Sequence, residues 1–344
     1  MTRVTGAAHA VPGAMSQQGL WDGFFREHYL GDERARRIWA STGIETRHGV
    51  VDPRLEDVST WGTGDRMRRF VSEAMPLGKD AVGSALATAG LSAEDVGLFG
   101  VASCTGYATP GVDILLARDL GMRDDVQRLH IGHMGCYAAI PALGAVADFV
   151  TARGRPAVLL CVELTSLHVQ PARADVEQVV AHSLFSDAAA AVVVEPGDGP
   201  GLEMVDMVAI TDPSTADLMT WDVTDLGFAM GLSPKVPDVL ATHVEGFVTR
   251  LIEPHGLAVG DITGWAVHPG GRRILEVVEE RLELDSAALA SSYSTLRDFG
   301  NCSSATVLLV LESVRRELSV GDWCVAMAFG PGLTLYAALL RAVA

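Results

Sequence analysis

Three polar side chains, Cys136, His268 and Asn301, stand at the ends of apolar runs, where a layered α/β fold places its reacting groups. Cys136 lies in VQRLHIGHMGCYAAIPALGAVADFVTARG (Val126–Gly154). This segment reads as a strand-like run, a turn marked by Gly132 and Gly135, and then apolar residues at helical spacing. A cysteine that opens a helix meets outward-pointing N–H groups and the positive end of the dipole. That placement lowers a thiol pKa and makes a nucleophile. A buried, inert cysteine is the competing reading of the same position. His268 ends the strand GWAV ahead of Pro269-Gly270-Gly271, and Asn301 follows Gly300 and precedes a helix in GNCSS. Taken singly, the histidine reads as a satisfied core residue and the asparagine as an N-cap or turn residue. Together the thiol, imidazole and carboxamide form a set for acyl transfer. The imidazole can ion-pair with a thiolate, and the imidazole N–H and amide NH₂ can both donate to a developing oxyanion.

Other motifs fail. Gly78-Lys79-Asp80 lacks the Ser/Thr of a P-loop and its upstream glycines, and no GxSxG elbow occurs. His133 and Cys136 have H-x-x-C spacing, but no second pair completes a zinc site, so no metal is expected. Asn301-Cys302-Ser303 matches a glycosylation sequon, which has no meaning in a cytosolic protein.

The elements that must position the three residues recur along the chain. A short strand (about Arg3–Val11) and helical patterns near Gln17–Leu30 and Asp32–Ser41 come first. A long helical stretch follows from Asp65 to Gly90, bent near Pro76. Then come the strand GLFGVAS, a helix near Val112–Leu120, the Cys136 unit, the strand AVLLCVE, a helix near Val176–Leu184 and the strand AAAAVVVE. After a mixed strand region (Leu202–Asp212), loops rich in Asp, Thr and Pro, and a helix near Val236–His255, the order repeats. ITGWAVHP leads into GGRRILEVVEERL, a second helix opens at GNCSSATVLLVLESV, and the strands WCVAMAF and LTLYAALL close the chain. Each half reads strand, helix, helix, strand, strand: a duplicated α/β unit with apolar, doubly buried strands. Residues 1–200 form the half with the cysteine and residues 201–344 the half with the histidine and asparagine. With no Pro/Gly/Ser linker between them, the halves are expected to share one body.

Composition narrows the functional classes. A chain of 344 residues with 49% hydrophobic content carries one large or two fused domains. No run reaches the length of a membrane span, and the N-terminus lacks the sustained apolar stretch of a secretory signal. Five scattered cysteines do not form a disulfide framework and suit a reducing cytosol. A net charge of −17 argues against nucleic acid. An anionic ligand must then meet a local basic cluster, and Arg34, Arg36 and Arg37 supply one.

MGCYAA around Cys136, LFSDAAAAVV from Leu184, WAVHPGGRRIL around His268, GNCSSATV around Asn301 and FGPGLT from Phe329 carry a resemblance over nearly the whole length. The chain resembles the type III polyketide synthases, the chalcone-synthase-like branch of the thiolase-fold condensing enzymes, and within them the bacterial alkylpyrone and alkylresorcinol synthases. The resemblance implies an α/β, thiolase-like fold of two αβαβα-layered halves in a cytoplasmic homodimer. It implies CoA thioesters as substrates and no prosthetic cofactor. Cys136 would hold an acyl starter taken from acyl-CoA, and His268 with Asn301 would stabilise the enolate formed from malonyl-CoA. Phe185 falls on the family's gatekeeper phenylalanine. Met230 takes the place of a second one, a flexible side chain that widens the junction. Thr165, His168, Cys104 and Ser303 fall on cavity positions, and Arg34 and Arg37 on positions that meet the CoA phosphates. The third such basic position is Ser41, and the usual LFGDG reads LFSDA, with Ser186 and Ala188. Two other readings stay open: a single-round ketoacyl synthase III-like enzyme using a carrier protein, and a silent partner subunit of the same fold.

Overall fold

Leu98–Ser103, Ala157–Leu164 and Asp187–Pro196 are runs of small and β-branched residues, buried along both faces over most of their length. Strands of that pattern need helices above and below. The computed structural model, which describes residues 1–173, 175–285 and 287–344, supplies them. Nine strands share one sheet in the order Ile262–Val267, Trp323–Gly330, Thr334–Val343, Gly201–Thr211, Thr2–Ala10, Asp187–Pro196, Ala157–Leu164, Leu98–Ser103, Gln127–Gly132.

The duplication is explicit in the pairing. Leu98–Ser103 runs parallel to Ala157–Leu164, which is antiparallel to Asp187–Pro196. Likewise Ile262–Val267 runs parallel to Trp323–Gly330, which is antiparallel to Thr334–Val343. Ahead of each antiparallel pair comes one apolar helix, Ala139–Arg153 or Ser304–Glu317, buried around most of its circumference. These two helices pack on strands of both halves and form a central layer. Thr63–Ala89 and Val112–Leu120 cover the outer face of the first half, and Val236–Ile252 and Arg272–Leu282 that of the second. The result is the duplicated, thiolase-like αβαβα layering. The halves are hydrogen-bonded into one sheet where Arg3 and Val4 pair with Glu203 and Leu202.

Several elements differ from the expectation. Gly135–Arg153 is long and apolar enough to cross a membrane, yet it is the core helix of the central layer. Thr63–Ala89 continues through Pro76 as one helix. The region expected as loops holds a hairpin, Met219–Thr224 with Gly227–Leu232. A further helix, Ala290–Phe299, precedes Asn301, and Ala14–Ser16 pairs antiparallel with Thr46–His48 in a small second sheet.

Candidate active site

The three chemical residues converge because the two central helices start at the same end of the layer. Cys136 sits in the turn Gly135–Tyr137 that leads into Ala139–Arg153. Gly135 has φ +74°, and a Cβ there would lie 2.8 Å from the Pro331 ring, so only glycine allows this approach. His268 follows the strand Ile262–Val267, its backbone N–H held by the Met327 carbonyl at 2.8 Å. Asn301 is fixed through its backbone to the Phe185 segment, donating to the Leu184 carbonyl and accepting from the Ser186 N–H, both at 2.9 Å.

Side-chain bonding fixes the Asn301 amide. Its Oδ1 accepts from the Ser303 N–H at 2.9 Å, and its Nδ2 donates one hydrogen to the Gly270 carbonyl at 3.1 Å. The other amide hydrogen has no backbone partner and is left to serve the Cys136 sulfur or a ligand. His268 is 1% exposed, and neither ring nitrogen has a hydrogen-bond partner. Unpartnered, buried imidazole nitrogens are costly and mark a group that waits for a ligand. Cys136, His268 and Asn301 line one cavity of about 340 Å³, together with Phe185 and Met230.

Electrostatics here reverse one expectation. The helix-start placement of Cys136 predicts a lowered thiol pKa, but burial pushes it up to about 12, against the pull of the Ser303 hydroxyl and the Asn301 amide. Burial also lowers the His268 pKa to about 3, so the imidazole is neutral. Burial thus works against the ionised form of both groups. The sign is that of a group whose ionised form is disfavoured, so the Cys136 thiolate fraction grows about tenfold per pH unit between pH 6 and 9. The rate of Cys136 alkylation by iodoacetamide, followed by peptide mass spectrometry, is expected to climb through that range. A plateau already reached at pH 6 would contradict it.

Behind the thiol lies a smaller cavity of about 20 Å³, lined by Cys104, Thr165, Phe185, Trp221, Met230 and Ser303 among others. Glu163, fully buried, organises its floor. It accepts from the Thr105 hydroxyl at 2.7 Å, the Ser304 hydroxyl at 2.5 Å, the Cys104 N–H at 3.0 Å and the Cys104 thiol at 3.4 Å. Burial raises its pKa and, with the Glu163 charge, raises that of Cys104 further, so Cys104 stays a thiol. Ser303, at φ +50°, sets its hydroxyl 3.3 Å from the Cys104 sulfur. The Thr165 hydroxyl is already committed to the Ser186 carbonyl at 2.9 Å and the Asp187 carboxyl at 3.1 Å.

His168 is a wall, not a titrating group. Its Nε2 donates to the Thr105 carbonyl at 2.7 Å, its Nδ1 accepts from the Phe228 N–H at 3.0 Å, and its ring stacks on Phe228 at 4.6 Å. Burial lowers its pKa to about 4. It borders a third cavity of about 100 Å³ that shares Thr165, Phe185, Trp221 and Met230 with the small one. Met230 and Trp221 pair on opposite strands of the unexpected hairpin, and the Trp221 indole N–H donates to the Cys104 carbonyl at 2.7 Å. Ser186 bonds both the N–H and the carbonyl of His48, tying the small two-stranded sheet to the Phe185 segment, and Ala188 is buried in the strand that follows.

Arg34 and Arg37 lie exposed on the helix Glu33–Ala40. Ile38 of that helix and the following Ser41 line the large cavity, whereas Arg34 borders a neighbouring surface groove. Sequence reading missed Glu163, whose one signal was an acidic residue ending the apolar run AVLLCVE, and Trp221, which carried none.

Comparison with known proteins agrees over the whole chain. The family models described as chalcone and stilbene synthases, N-terminal domain and C-terminal domain, match residues 6–200 and 203–344. The 1,3,6,8-tetrahydroxynaphthalene synthase of Streptomyces peucetius subsp. caesius is 38% identical, covering 90% of this chain and 85% of its own. The alpha-pyrone synthesis polyketide synthase-like Pks18 of Mycobacterium tuberculosis is 34% identical, covering 88% and 81%. Among solved structures, the C-terminal type III polyketide synthase domain of Steely1 from Dictyostelium superposes with a TM-score of 0.94 at 27% identity, covering 100% of this chain and 99% of that one.

Proposed function

Because this chain belongs to the chalcone and stilbene synthase family and is a type III polyketide synthase, which condenses malonyl-CoA iteratively onto a starter and cyclises the product, we propose that Cys136, His268 and Asn301 carry its chemistry. The observation that supports this most is the meeting of a buried thiol, imidazole nitrogens without a protein partner and an amide hydrogen not used by the backbone in a single cavity.

The Cys136 sulfur attacks the starter thioester carbonyl. His268 takes the thiol proton and returns it to the departing CoA thiolate, so the imidazole ends neutral. That neutral imidazole and Asn301 then each donate one hydrogen to the thioester oxygen of malonyl-CoA. Loss of CO₂ leaves the enolate charge on this oxygen, and the enolate carbon attacks the acyl-Cys136 carbonyl. The new C–C bond expels the sulfur as a thiolate, and the extended β-ketoacyl-CoA can reload it. Arg34 and Arg37 meet the CoA phosphates. Cys104, Thr165, His168 and Ser303 shape the space in which the chain folds and cyclises. The enzyme needs no prosthetic group. Its free, buried cysteines suit the cytoplasm, and a homodimer is the assembly expected of the family.

Phe185 and Met230 gate the junction between the large cavity and the floor. Purified enzyme, malonyl-CoA and acyl-CoA starters from acetyl to long-chain are expected to yield pyrones or resorcinols bearing the starter. Met230→Phe puts a rigid ring at the junction and is expected to lower turnover of the longest starter accepted by about tenfold relative to acetyl. Absence of any iterated product refutes the function, and an unchanged starter ratio in Met230→Phe refutes the gate.

A further inference from the structure

The helix Val176–Leu184 runs into Phe185, and its C-terminal carbonyls have no partner within the helix. Other elements supply one. Arg47, on the short strand Thr46–His48, donates through Nη1 to the His182 carbonyl at 2.6 Å and the Phe185 carbonyl at 2.9 Å. The Gln17 amide donates to the Ser183 carbonyl at 2.8 Å, and the Asn301 N–H to the Leu184 carbonyl at 2.9 Å. The carbonyls of residues 182–185 are thus each held from outside the helix. Arg47 is 5% exposed and its Nε has no partner. Among the described residues no carboxylate bonds it, and Asp187 acts on it only through its charge. Burial lowers its pKa to about 10, so at neutral pH it stays a cation, 5.0 Å over the Trp39 ring. A buried cation without an ion pair is costly, and the negative end of a helix offsets part of that cost.

We propose that Arg47 is a positioning residue of the condensing reaction, holding the Phe185 gate and the Asn301 amide in one fixed relation. This rests on the roles proposed above for those two residues. Phe185 is held directly, through its carbonyl. Asn301 is held through the neighbouring backbone. It donates to Leu184 and accepts from the Ser186 N–H at 2.9 Å, a parallel bridge with Phe185 at its centre. The Arg47 stem reaches the same place, since a Cβ on Gly300 would lie 3.3 Å from Arg47 Cγ. Phe185 and Asn301 line the cavity of Cys136, whereas Arg47 lines the third cavity and not that one. Its influence on the chemistry therefore passes through the backbone it grips, by charge-assisted bonds that are stronger than neutral ones.

The test reads one activity for each held residue: malonyl-CoA decarboxylation for Asn301, and the turnover ratio of long-chain to acetyl starter for Phe185. Arg47→Met keeps the stem and loses both bonds. It is expected to lower kcat for decarboxylation about tenfold with KM changed less than about twofold, and to shift the starter ratio by about threefold or more. Arg47→Lys keeps the charge without the planar fork and is expected to fall between Arg47→Met and wild type in both readouts, with kcat down about threefold. Gln17→Ala frees only the Ser183 carbonyl. Its Tm should drop while kcat and the starter ratio stay within about twofold of wild type. An Arg47→Met enzyme with a lowered Tm but wild-type values in either readout overturns the proposal, and so does an equal loss in Gln17→Ala. If Arg47→Met does not fold, Arg47→Lys decides alone: a fall in kcat with a shifted ratio supports the proposal, and a wild-type value in either overturns it. A wild-type enzyme that neither decarboxylates malonyl-CoA nor extends a starter refutes the condensing function itself, a result distinct from variants that match an active wild type.

Discussion

Cys136→Ala is expected to lose condensation by at least about 10⁴-fold while still releasing CO₂ from malonyl-CoA. The two halves of that result test different residues. Condensation needs a sulfur to hold the starter, and this cavity offers one other thiol, Cys104, which is held protonated by burial and by Glu163. Decarboxylation needs only donors to the developing enolate oxygen, and those belong to His268 and Asn301. The substitution removes little volume, so folding is not at issue. Release of ¹⁴CO₂ from labelled malonyl-CoA, alongside product chromatography, separates the two. Retained product at the wild-type rate would dismiss Cys136 as nucleophile, and loss of both activities would mean that the sulfur also takes part in decarboxylation.

His268→Ala is expected to slow decarboxylation about 10²–10³-fold, the worth of one preorganised oxyanion donor. Because neither ring nitrogen bonds another protein group, the substitution breaks no bond within the fold, and its effect falls on the chemical step. His268→Gln, which keeps an N–H, should recover part of the rate. Asn301→Ala is expected to lose a similar factor but also stability, since the Ser303 N–H and the Gly270 carbonyl lose their partner, at about 1–3 kcal/mol for each buried group left unpaired. A thermal melt beside the decarboxylation assay distinguishes the two variants. A His268→Ala enzyme with near-normal decarboxylation would remove the histidine from the oxyanion site.

Both expectations could be framed before the coordinates because the three residues each interrupt an apolar run at its end, and chain ends of buried elements are where a layered fold exposes side chains. The duplicated element order was equally legible, since doubly buried strands write themselves as unbroken apolar runs. What stayed hidden was polar or tertiary in origin. The hairpin bearing Trp221 and Met230 is half-buried with charged residues at its turn, so its sequence reads as loop. Ala290–Phe299 mixes serine and threonine into its helical face for the same effect. The Cys136 pKa was misjudged in sign because the helix start is a local feature, whereas the desolvation that outweighs it comes from both halves closing over the thiol.

The seam between the halves has a mechanical meaning. Cys136 belongs to the first half and both oxyanion donors to the second, while the sheet joins them through Arg3–Glu203 and Val4–Leu202. The gap between sulfur and donors therefore depends on how the halves meet, at this seam and again where Asn301 is bonded to Leu184 and Ser186. Asn301 is tethered to the half that carries the sulfur, so a change in strand register reaches the catalytic distance only if those two backbone bonds yield as well.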